Sequence, residues 1–392
     1  MKLRIAILGS TGSIGKSTIK IIRNHKIKFD LKFITTNKNI ALILKQANEF
    51  KVKNIVIYNK KKFYYASNDK KFKHLNIYNN LSVISKKFDK KIDYTMCSIS
   101  GLDGLAPTLE AIKFSKKVAI ANKESIICGW NIIKKNLNIY DTKFIPVDSE
   151  HFSIHSLLNE TKNDLVDEIY ITASGGPFLK LEKNKFKKIN LAMATKHPNW
   201  KMGKKISIDS ATMMNKVFEV VEAQRIFSID LYKFKILIHP KSYVHAIIKF
   251  KNGLSKILIH DTDMMIPIFN SIFNNKINYS YNKKLDIDSI NNLNLQKVDY
   301  DRFPAVKILK KITPKNSLYD TVIISANDEL VDLFIQKKIT FLDIHIILNK
   351  VINFKTFLQY KKIIPKSYKQ ILNLSQIVRL KTRSISIKYM NV

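Results

Sequence analysis

The segment Asp148-Ser149-Glu150 is the part of this 392-residue sequence best suited to bind a metal ion. Two carboxylates at positions i and i+2 can converge on one hard cation. Water and substrate oxygens would then complete its near-octahedral coordination. Helix capping is the alternative, with Ser149 as the N-cap and its acidic neighbours favouring the helix dipole. No group of His and Cys residues has the spacing of a zinc site. The segment by itself leaves metal binding and capping open.

Residues 207–219 form a second cluster, which is rich in groups that bind phosphate. If this segment is helical, Asn215, Lys216 and Glu219 share one face, and Ser210 lies near the start of the helix. Hydroxyl, amide and ammonium donors would together make a phosphate cradle, and Glu219 could also reach a cation held by the first cluster. An ordinary amphipathic helix with a solvated polar side is the alternative.

A glycine-rich loop connects the first predicted strand to the first predicted helix. Its sequence is Gly9-Ser10-Thr11-Gly12-Ser13-Ile14-Gly15. Glycines allow the backbone to approach a pyrophosphate, and the helix N-terminus supplies amides and a positive dipole. The spacing is GxxGxxG and departs from the strict GxGxxG fingerprint, so a tight strand-to-helix turn is the alternative. The flanking strand and helix favour dinucleotide binding.

The end of the second predicted strand indicates which dinucleotide binds. Enzymes that use NAD usually place an Asp or Glu there to bind the ribose 2′-hydroxyl. Here the segment is Thr35-Thr36-Asn37-Lys38-Asn39, which contains no carboxylate. Lys38 would suit a 2′-phosphate, so the segment favours NADP. In a chain this rich in lysine, however, Lys38 could also be incidental.

Alternating apolar runs and helical patterns in residues 1–150 predict the elements that must position these clusters. Six strands separated by helices are typical of βαβ units and of an α/β fold with a Rossmann-like, doubly wound parallel sheet. Ligands of such folds bind at the carboxyl ends of the strands, which is where the glycine loop and Asp148 are expected. The predicted strands are 3–8, 31–35, 54–58, 93–99, 118–121 and 144–147, and the predicted helices are 17–23, 40–49, 105–111 and 125–135.

The pattern changes after residue 150. Two alternating runs, 244–250 and 254–260, flank Asn252-Gly253 and predict a β-hairpin. A strand at 168–173 and a helix at 211–227 complete a central α+β domain, and helices at 305–311, 322–337, 341–351 and 368–380 make a C-terminal helical domain. We therefore predict a nucleotide-binding domain at 1–150, a catalytic domain at 151–285 and a helical domain at 286–392, with a linker at 274–284.

The formal charge of +37 suggests a nucleic-acid-binding protein, because a basic surface attracts phosphate backbones. However, only six of the 68 basic residues are Arg, the residue that reads guanine edges. The lysines are spread along the whole chain. A solvated lysine-rich surface is therefore the favoured interpretation, with no nucleic acid as a partner.

The sequence also indicates a compartment. Cys97 and Cys128 are the only cysteines and have no partner at metal-ligand or redox-motif spacing, which is typical of a reducing environment. The N-terminus enters a strand without a signal-peptide pattern, and no apolar run reaches the ~20 residues of a membrane span. We expect a cytoplasmic enzyme with no membrane partner.

Several blocks of the sequence resemble one known family. They are Thr11 to Gly15, Asn122-Lys123-Glu124-Ser125, Pro146-Val147-Asp148-Ser149-Glu150-His151, Ser174-Gly175-Gly176-Pro177-Phe178, His197-Pro198-Asn199-Trp200, Met202-Gly203 and Asp209 to Lys216. In this order they resemble the 1-deoxy-D-xylulose-5-phosphate reductoisomerases. A weaker resemblance continues through His239-Pro240, Asp263-Met264 and Pro267 to Ala326-Asn327.

This resemblance implies a reaction and its cofactors. 1-Deoxy-D-xylulose 5-phosphate would be rearranged and then reduced with NADPH to 2-C-methyl-D-erythritol 4-phosphate, in non-mevalonate isoprenoid (terpenoid) precursor biosynthesis. The substrate would be a small phosphorylated sugar, and the divalent cation would be Mg²⁺ or Mn²⁺, with Co²⁺ as a third candidate. The family is homodimeric, so the central domain would also serve dimerisation.

The resemblance further implies a role for each matching residue. The metal ligands would be Asp148, Glu150 and Glu219, and these would be catalytic together with Lys123 and His197. The substrate contacts would be Lys123, Ser149, Glu150, Ser174, His197, Ser210, Asn215, Lys216 and Glu219. The cofactor contacts would be Thr11, Gly12, Ser13, Ile14, Asn37, Lys38, Asn39, Asn122, Glu124 and Gly203, although Asn37 replaces an expected glycine. The loop 197–204, which contains Trp200, is expected to close over the ligand and the nicotinamide.

Two other functions stay open on the residues alone. A metal-independent NADP dehydrogenase of the semialdehyde or homoserine type would share the nucleotide-binding domain, but it would not use three carboxylates at one point. A basic nucleic-acid-binding function would explain the charge, but it would not explain the glycine loop.

Overall fold

The computed structural model divides the chain into two compact units. The described residues are 2–85, 88–159, 161–200, 202–273 and 287–390. The first unit comprises Met1–Ser125, Ile133–Phe152 and Met264–Ser280, and the second comprises Ile126–Ile132, Ser153–Asp263 and Tyr281–Val392. The three-domain division stays a prediction, and its second boundary and the linker at 274–284 lie outside the described residues.

A seven-stranded parallel sheet is the scaffold of the first unit. Its strands are β1 (Leu3–Leu8), β2 (Phe29–Thr36), β3 (Asn54–Ile57), β4 (Asn76–Tyr78), β5 (Tyr94–Cys97), β6 (Lys117–Ile120) and β7 (Lys143–Pro146). They pair in the order β4-β3-β2-β1-β5-β6-β7, all in parallel. The predicted doubly wound sheet is confirmed, and its order reverses between β1 and β5. The short edge strand β4 was not predicted.

A helix follows each of these strands in the sequence. These helices are α1 (Ser13–Asn24), α2 (Ile40–Phe50), α3 (Lys60–Asn68), α4 (Leu81–Ser85), α5 (Leu105–Phe114), α6 (Lys123–Ile139) and α7 (Ser149–Leu157). Consecutive residues of the central strand β1, from Ile5 to Leu8, are fully buried. Burial of neighbours that point to opposite faces is typical of a parallel sheet covered on both sides.

A five-stranded mixed sheet is the scaffold of the second unit. Its strands are β8 (Val166–Ala173), β9 (Phe234–Ile238), β10 (Val244–Phe250), β11 (Ser255–Ile259) and β12 (Gln296–Lys297), in the order β11-β10-β8-β9-β12. β8 pairs in parallel with β9, and the other pairs are antiparallel. The predicted hairpin is confirmed, with Gly253 at a φ of +86° that glycine adopts without strain. β9 was not predicted.

The remaining helices are α8 (Leu191–Thr195), α9 (Lys204–Ala211), α10 (Met214–Phe227), α11 (Met265–Phe273), α12 (Ile287–Ile290), α13 (Leu318–Ile335), α14 (Phe341–Ile352), α15 (Lys355–Leu358) and α16 (Tyr368–Met390). The helical C-terminal region is thus confirmed, although the segment predicted at 305–311 is a 3-10 helix, Pro304–Lys311. Among the described residues, no helix combines the length and apolar character that a membrane span needs.

The helix predicted at 211–227 is confirmed from residue 214 onward as α10, but it starts three residues later than predicted. Two helices, α9 and α10, meet at Met213, whose φ of +65° lies in the left-handed region. Thr212 follows the last residue of α9, and its hydroxyl donates to the carbonyl of Ile208 (3.2 Å). This break separates Ser210 from the helix on which it was predicted to lie.

α11 belongs to the first unit although it follows the second sheet in sequence. The hydroxyls of Tyr94 on β5 and Ser271 on α11 form a buried hydrogen bond of 2.8 Å. Phe269 lies in the hydrophobic core of the first unit together with Ile5 and Ile34. The chain therefore leaves the first unit, builds the second sheet and returns.

A buried ion pair joins α10 to the first turn of α13 in the second unit. The guanidinium of Arg225 lies 3.0 Å from the carboxylate of Asp320. Asp320 also accepts hydrogen bonds from the backbone N–H of Ser317 (3.1 Å) and the amide of Asn316 (2.9 Å). Burial raises the pKa of Asp320, and the Arg225 guanidinium opposes that rise.

We expect Asp320→Asn to lower the free energy of unfolding by about 3–5 kcal/mol, because it leaves the Arg225 guanidinium buried without a counter-charge. Urea unfolding would measure the loss. The matched control is Asp332→Asn on the same helix, whose exposed carboxylate lies 3.3 Å from Arg379 and should contribute less than about 1 kcal/mol. Equal losses in the two variants would contradict this account of the buried pair.

Candidate active site

The glycine-rich loop leaves β1 and enters α1 directly. The backbone N–H of Gly12, the residue before α1, donates to the carbonyl of Gly9 (3.0 Å). A Cβ atom at Gly15 would lie 2.3 Å from that same carbonyl oxygen, so only glycine lets α1 pack this closely on the loop. Gly12 and Ser13 are exposed, while Thr11 and Ile14 are half-buried, so an anion can approach the helix N-terminus.

A buried glutamine, which the sequence reasoning missed, holds this loop against α2. The side chain of Gln46 accepts a hydrogen bond from the hydroxyl of Ser10 (2.7 Å) and donates one to the carbonyl of Ser10 (3.0 Å). Ser10 is fully buried and Gln46 nearly so. The available signal was a polar residue within the apolar stripe that Ile43 and Ala47 form on α2.

Two threonines at the end of β2 complete the support of the loop. The backbone N–H of Gly9 donates to the hydroxyl of Thr35 (2.8 Å), and the hydroxyls of Thr11 and Thr36 are hydrogen bonded at 2.8 Å. The loop is therefore fastened to the strand end that was predicted to select the dinucleotide.

The predicted 2′-phosphate contacts lie immediately beyond this strand end. Asn37, Lys38 and Asn39 are all exposed. The side chain of Asn39 caps α2 by accepting a hydrogen bond from the backbone N–H of Leu42 (3.1 Å). Lys38 thus presents an exposed cation beside a capped helix start.

Asn122, a predicted cofactor contact, lies at the carboxyl end of β6. Its amide donates to the carbonyls of Ile99 and Gly101, the second at 2.6 Å. Its side-chain oxygen accepts the backbone N–H of Ser125 (2.9 Å) and so caps α6. Asn122 therefore shapes the loop after β5, next to the buried Glu124 in the first turn of α6.

Asp148 and Glu150 follow β7 at the carboxyl edge of the same sheet. Asp148 directly precedes α7, and its carboxylate accepts the backbone N–H of Glu150 (3.3 Å), so Asp148 occupies the capping position in place of Ser149. The hydroxyl of Ser149 donates to the carboxylate of Glu150 (2.6 Å). One carboxylate oxygen of Asp148 lies within 4.8 Å of one of Glu150, a separation that two ligands of one cation can have.

Two basic side chains set the protonation state of Asp148. The ammonium of Lys123 lies 3.2 Å from one carboxylate oxygen, and Nδ1 of the fully buried His151 lies 3.4 Å from the other. Burial by itself would raise the pKa of Asp148, but Lys123 and His151 outweigh it and hold the pKa well below its usual range. The carboxylate is therefore ionised, which is the form that binds a cation.

Ser174 and His197 are brought together in the second unit. Nδ1 of His197 accepts the backbone N–H groups of Asn199 (3.2 Å) and Trp200 (3.0 Å), so its proton lies on Nε2. Nε2 lies 3.1 Å from the Ser174 hydroxyl, which also accepts the backbone N–H of Gly176 (3.0 Å). With two donors directed at its oxygen, the Ser174 hydroxyl can donate its own proton to an anion.

The environment of His197 favours its neutral form. Burial lowers the pKa of His197 to about 4, and the nearby ammonium of Lys216 acts in the same direction. The imidazole is therefore uncharged near neutral pH, and it acts as a hydrogen-bond donor through Nε2.

The first two turns of α10 hold the other predicted phosphate contacts. The nearly buried carboxylate of Glu219 lies 2.5 Å from the ammonium of Lys216 and also accepts the amide of Asn215. The carboxylate of Glu219 thus fixes the side chains of Asn215 and Lys216, which were predicted to contact the phosphate. The predicted common face of these residues is present, since the side chains of Asn215 and Lys216 both contact Glu219 on the same helix.

Ser210 lies in the last turn of α9, close to the loop that carries Ser174. A Cβ atom at Gly176 would lie 3.1 Å from the carbonyl oxygen of Ser210, so the two backbones are in contact. Gly203 precedes the first residue of α9, with open space around it. The half-buried ring of Trp200 contacts His245 edge-on at 6.2 Å. Closure of the loop 197–204 stays a prediction, and its residue 201 lies outside the described residues.

Comparisons with known proteins agree on one family. The family model described as 1-deoxy-D-xylulose 5-phosphate reductoisomerase matches residues 5–129. Two models of the C-terminal domain of the same enzyme match residues 144–227 and 259–381. The three matches together cover most of the chain.

Individual relatives give the same result. The 1-deoxy-D-xylulose 5-phosphate reductoisomerase of Pelagibacter ubique is 52% identical over 98% of this chain and 100% of its own length. The solved enzyme from Zymomonas mobilis, in complex with NADPH, is 30% identical with a TM-score of 0.86, covering 98% of this chain and 99% of its own. A solved reductoisomerase with NADPH, fosmidomycin and magnesium is 28% identical with a TM-score of 0.89, covering 97% and 98%.

We expect Gln46→Met to raise the KM for the dinucleotide about tenfold, because the loop loses both hydrogen bonds between Ser10 and residue 46. The KM of the other substrate should stay unchanged. Steady-state kinetics would test this, with Asn48→Met, an exposed position on the same helix, as the matched control. An unchanged dinucleotide KM would mean that the loop does not need Gln46.

We expect stability to fall as the pH decreases from about 6.5 towards about 4, the interval between the ordinary and the folded-state pKa of His197. In this interval the unfolded chain binds a proton that the folded chain excludes. The free energy of unfolding, measured with urea at each pH, should depend less steeply on pH in His197→Gln than in the wild type. His74→Gln, at an exposed position, is the control. In NMR titrations, a His197 signal that titrates near pH 6.5 would contradict the prediction.

Proposed function

The chain belongs to the 1-deoxy-D-xylulose 5-phosphate reductoisomerase family, and on this premise we propose which residues carry its reaction. It is an NADPH-dependent enzyme that rearranges and reduces 1-deoxy-D-xylulose 5-phosphate to 2-C-methyl-D-erythritol 4-phosphate in isoprenoid biosynthesis. Its cofactors are NADPH and a divalent cation. The observation that carries the residue assignment is the ionised Asp148 beside Glu150 at the carboxyl edge of the sheet, with Lys123 against it.

We propose that Asp148, Glu150 and Glu219 are the metal ligands. Each offers one carboxylate oxygen, the hard ligand that Mg²⁺ and Mn²⁺ prefer. When bound, the cation polarises the sugar carbonyl and stabilises the negative charge that develops on its oxygen. Lys123 keeps Asp148 ionised, and Lys123 and Ser149 stand beside these carboxylates, where they would contact the oxygenated end of the sugar.

The phosphate end of the substrate is assigned to the second unit. Ser174 and His197 supply neutral donors, and Lys216 supplies a charge next to the amide of Asn215. Ser210 adds a hydroxyl beside the Ser174 loop. Binding of the phosphate away from the reacting carbons supplies binding energy that orients the sugar.

The dinucleotide is assigned to the carboxyl edge of the first sheet. Gly15 packs closely against Gly9 and carries no side chain. The loop backbone is therefore accessible to a pyrophosphate. NADPH, when bound, supplies the hydride for the reduction. Thr11, Gly12, Ser13 and Ile14 would bind the pyrophosphate, and Asn37, Lys38 and Asn39 would bind the 2′-phosphate end. Asn122, Glu124 and Gly203 complete the proposed cofactor contacts.

We also propose that the enzyme is a cytoplasmic homodimer. The edge strand β11 exposes the apolar side chain of Ile257, and the preceding turn exposes Leu254. Exposed apolar groups on an edge strand favour association with a second copy through the central region.

We expect Asp148→Asn and Glu219→Gln to lower kcat by orders of magnitude, because each removes a charged ligand from the cation that stabilises the reacting oxygens. Activity would be titrated with Mg²⁺ and Mn²⁺, alongside the exposed control Glu182→Gln. Thermal unfolding would confirm that the variants are folded. Near-normal activity of either variant at limiting metal would remove that residue from the proposed ligand set.

We expect kcat/KM to favour NADPH over NADH by at least about tenfold, the factor that corresponds to ~1.4 kcal/mol. Lys38→Ala should erode this preference by raising the KM for NADPH, with NADH use almost unchanged, because only NADPH carries the 2′-phosphate. The control is Lys20→Ala on α1, which removes another exposed charge. Kinetics at fixed ionic strength would test it, since salt screens such contacts. A preserved preference in Lys38→Ala would assign the phosphate to another residue.

A further inference from the structure

We propose that Asn327, on a C-terminal helix, is a positioning residue for the phosphate-binding end of the active site. It would act by holding α9, and with it Ser210, through a buried hydrogen bond to Asp209. The inference rests on the proposed role of Ser210 as a phosphate contact. It gives the C-terminal helices a role in substrate binding that the sequence alone did not predict.

The contact joins two residues that are 118 positions apart in the sequence. The amide Nδ2 of Asn327 donates to the carboxylate of Asp209 at 2.7 Å. Asn327 is fully buried and Asp209 is 2% exposed. The orientation of the amide follows from chemistry, because an ionised carboxylate only accepts hydrogen bonds and must face the NH₂ group.

Charged groups around this bond extend it into a link between three helices. The ammonium of Lys205 on α9 lies 3.4 Å from Asp209 and 3.0 Å from Asp328 on α13. Asp328 in turn lies 3.0 Å from the guanidinium of Arg379 on α16. Each buried carboxylate therefore has a basic partner, which offsets part of the cost of its burial.

α9 needs this support because it is short. A helix of eight residues has too few hydrogen bonds to be stable in water, so its orientation depends on tertiary contacts. Asp209 immediately precedes Ser210, the residue that faces the phosphate in the proposed function. A shift of Asp209 would therefore move Ser210 with it.

The same helix is connected to the other phosphate contacts. The carbonyl of Ser210 is in contact with Gly176, two residues beyond Ser174. After Ala211 the chain turns at Met213 and starts α10, which carries Asn215 and Lys216. The bond from Asn327 is thus placed to set the position of Ser210 relative to the remaining donors.

The test is steady-state kinetics of Asn327→Leu in the full-length enzyme with its divalent cation. We expect the KM for 1-deoxy-D-xylulose 5-phosphate to rise about tenfold, as for the loss of one hydrogen bond to a charged group. The KM for NADPH should change by less than about twofold, because the dinucleotide loop belongs to the other unit. A general loss of folded enzyme would instead lower kcat and leave both KM values unchanged.

Two further variants separate positioning from a purely structural effect. Ser325→Ala removes a buried hydrogen bond between α13 and α16 and keeps the bond from Asn327 to Asp209, so it should leave both KM values unchanged. The exchange Asp209→Asn with Asn327→Asp restores the hydrogen bond with donor and acceptor reversed. It should bring the sugar phosphate KM back to within about threefold of the wild type.

Ser210→Ala distinguishes this inference from the proposed function. If Ser210→Ala raises the sugar phosphate KM and Asn327→Leu does not, the positioning role is wrong while the phosphate site stands. If Ser210→Ala leaves that KM unchanged, the proposed phosphate contact itself is wrong. Failure of the exchanged pair to recover, with folding intact by thermal unfolding, would also overturn the positioning role.

Discussion

The parallel pairing of β8 with β9 is the constraint on which the candidate site in the second unit depends. Neighbouring parallel strands cannot be joined by a tight turn, so the chain must cross from the end of one to the start of the other. This crossover begins with Ser174 and contains His197, α9 and α10. The predicted phosphate contacts therefore lie on one connection, which starts at the carboxyl end of β8. The first unit follows the same rule. Its glycine loop, Asn122 and Asp148 all lie just beyond the carboxyl ends of parallel strands.

Charge compensation is the second property that the two units share. In each unit a predicted carboxylate ligand is held by a lysine: Asp148 by Lys123, and Glu219 by Lys216. The side chains of these two lysines are only 13% and 10% exposed. They differ in this from the many exposed lysines that give the chain its charge of +37. Burial alone would raise the pKa of Asp148, so this carboxylate needs such a partner to stay ionised. The basic surface and the basic site residues are thus physically different features.

Supporting residues are as specific as the predicted contacts. Gln46 holds the glycine loop through two buried hydrogen bonds, and Asn122 shapes the loop after β5 while capping α6. Arg225 and Asp320 fasten the far end of α10 to α13. Each is a polar group with hydrogen-bond partners inside the fold, so each fixes one local arrangement where an apolar residue would allow several.

Local signals in the sequence determined the parallel sheet, the hairpin at Asn252-Gly253, the helical C-terminal region and the residue types able to bind a cation, a phosphate and a dinucleotide. These features depend on neighbours in the chain, through periodicity, turn chemistry and helix starts. Only the tertiary structure decided the break at Met213, the pairing of β9 and the partners of Gln46 and Asp209. A left-handed residue within a helical pattern is stabilised by packing around it. The hydrogen bond that Asn327 donates to Asp209 spans 118 positions, a distance over which composition and spacing carry no information.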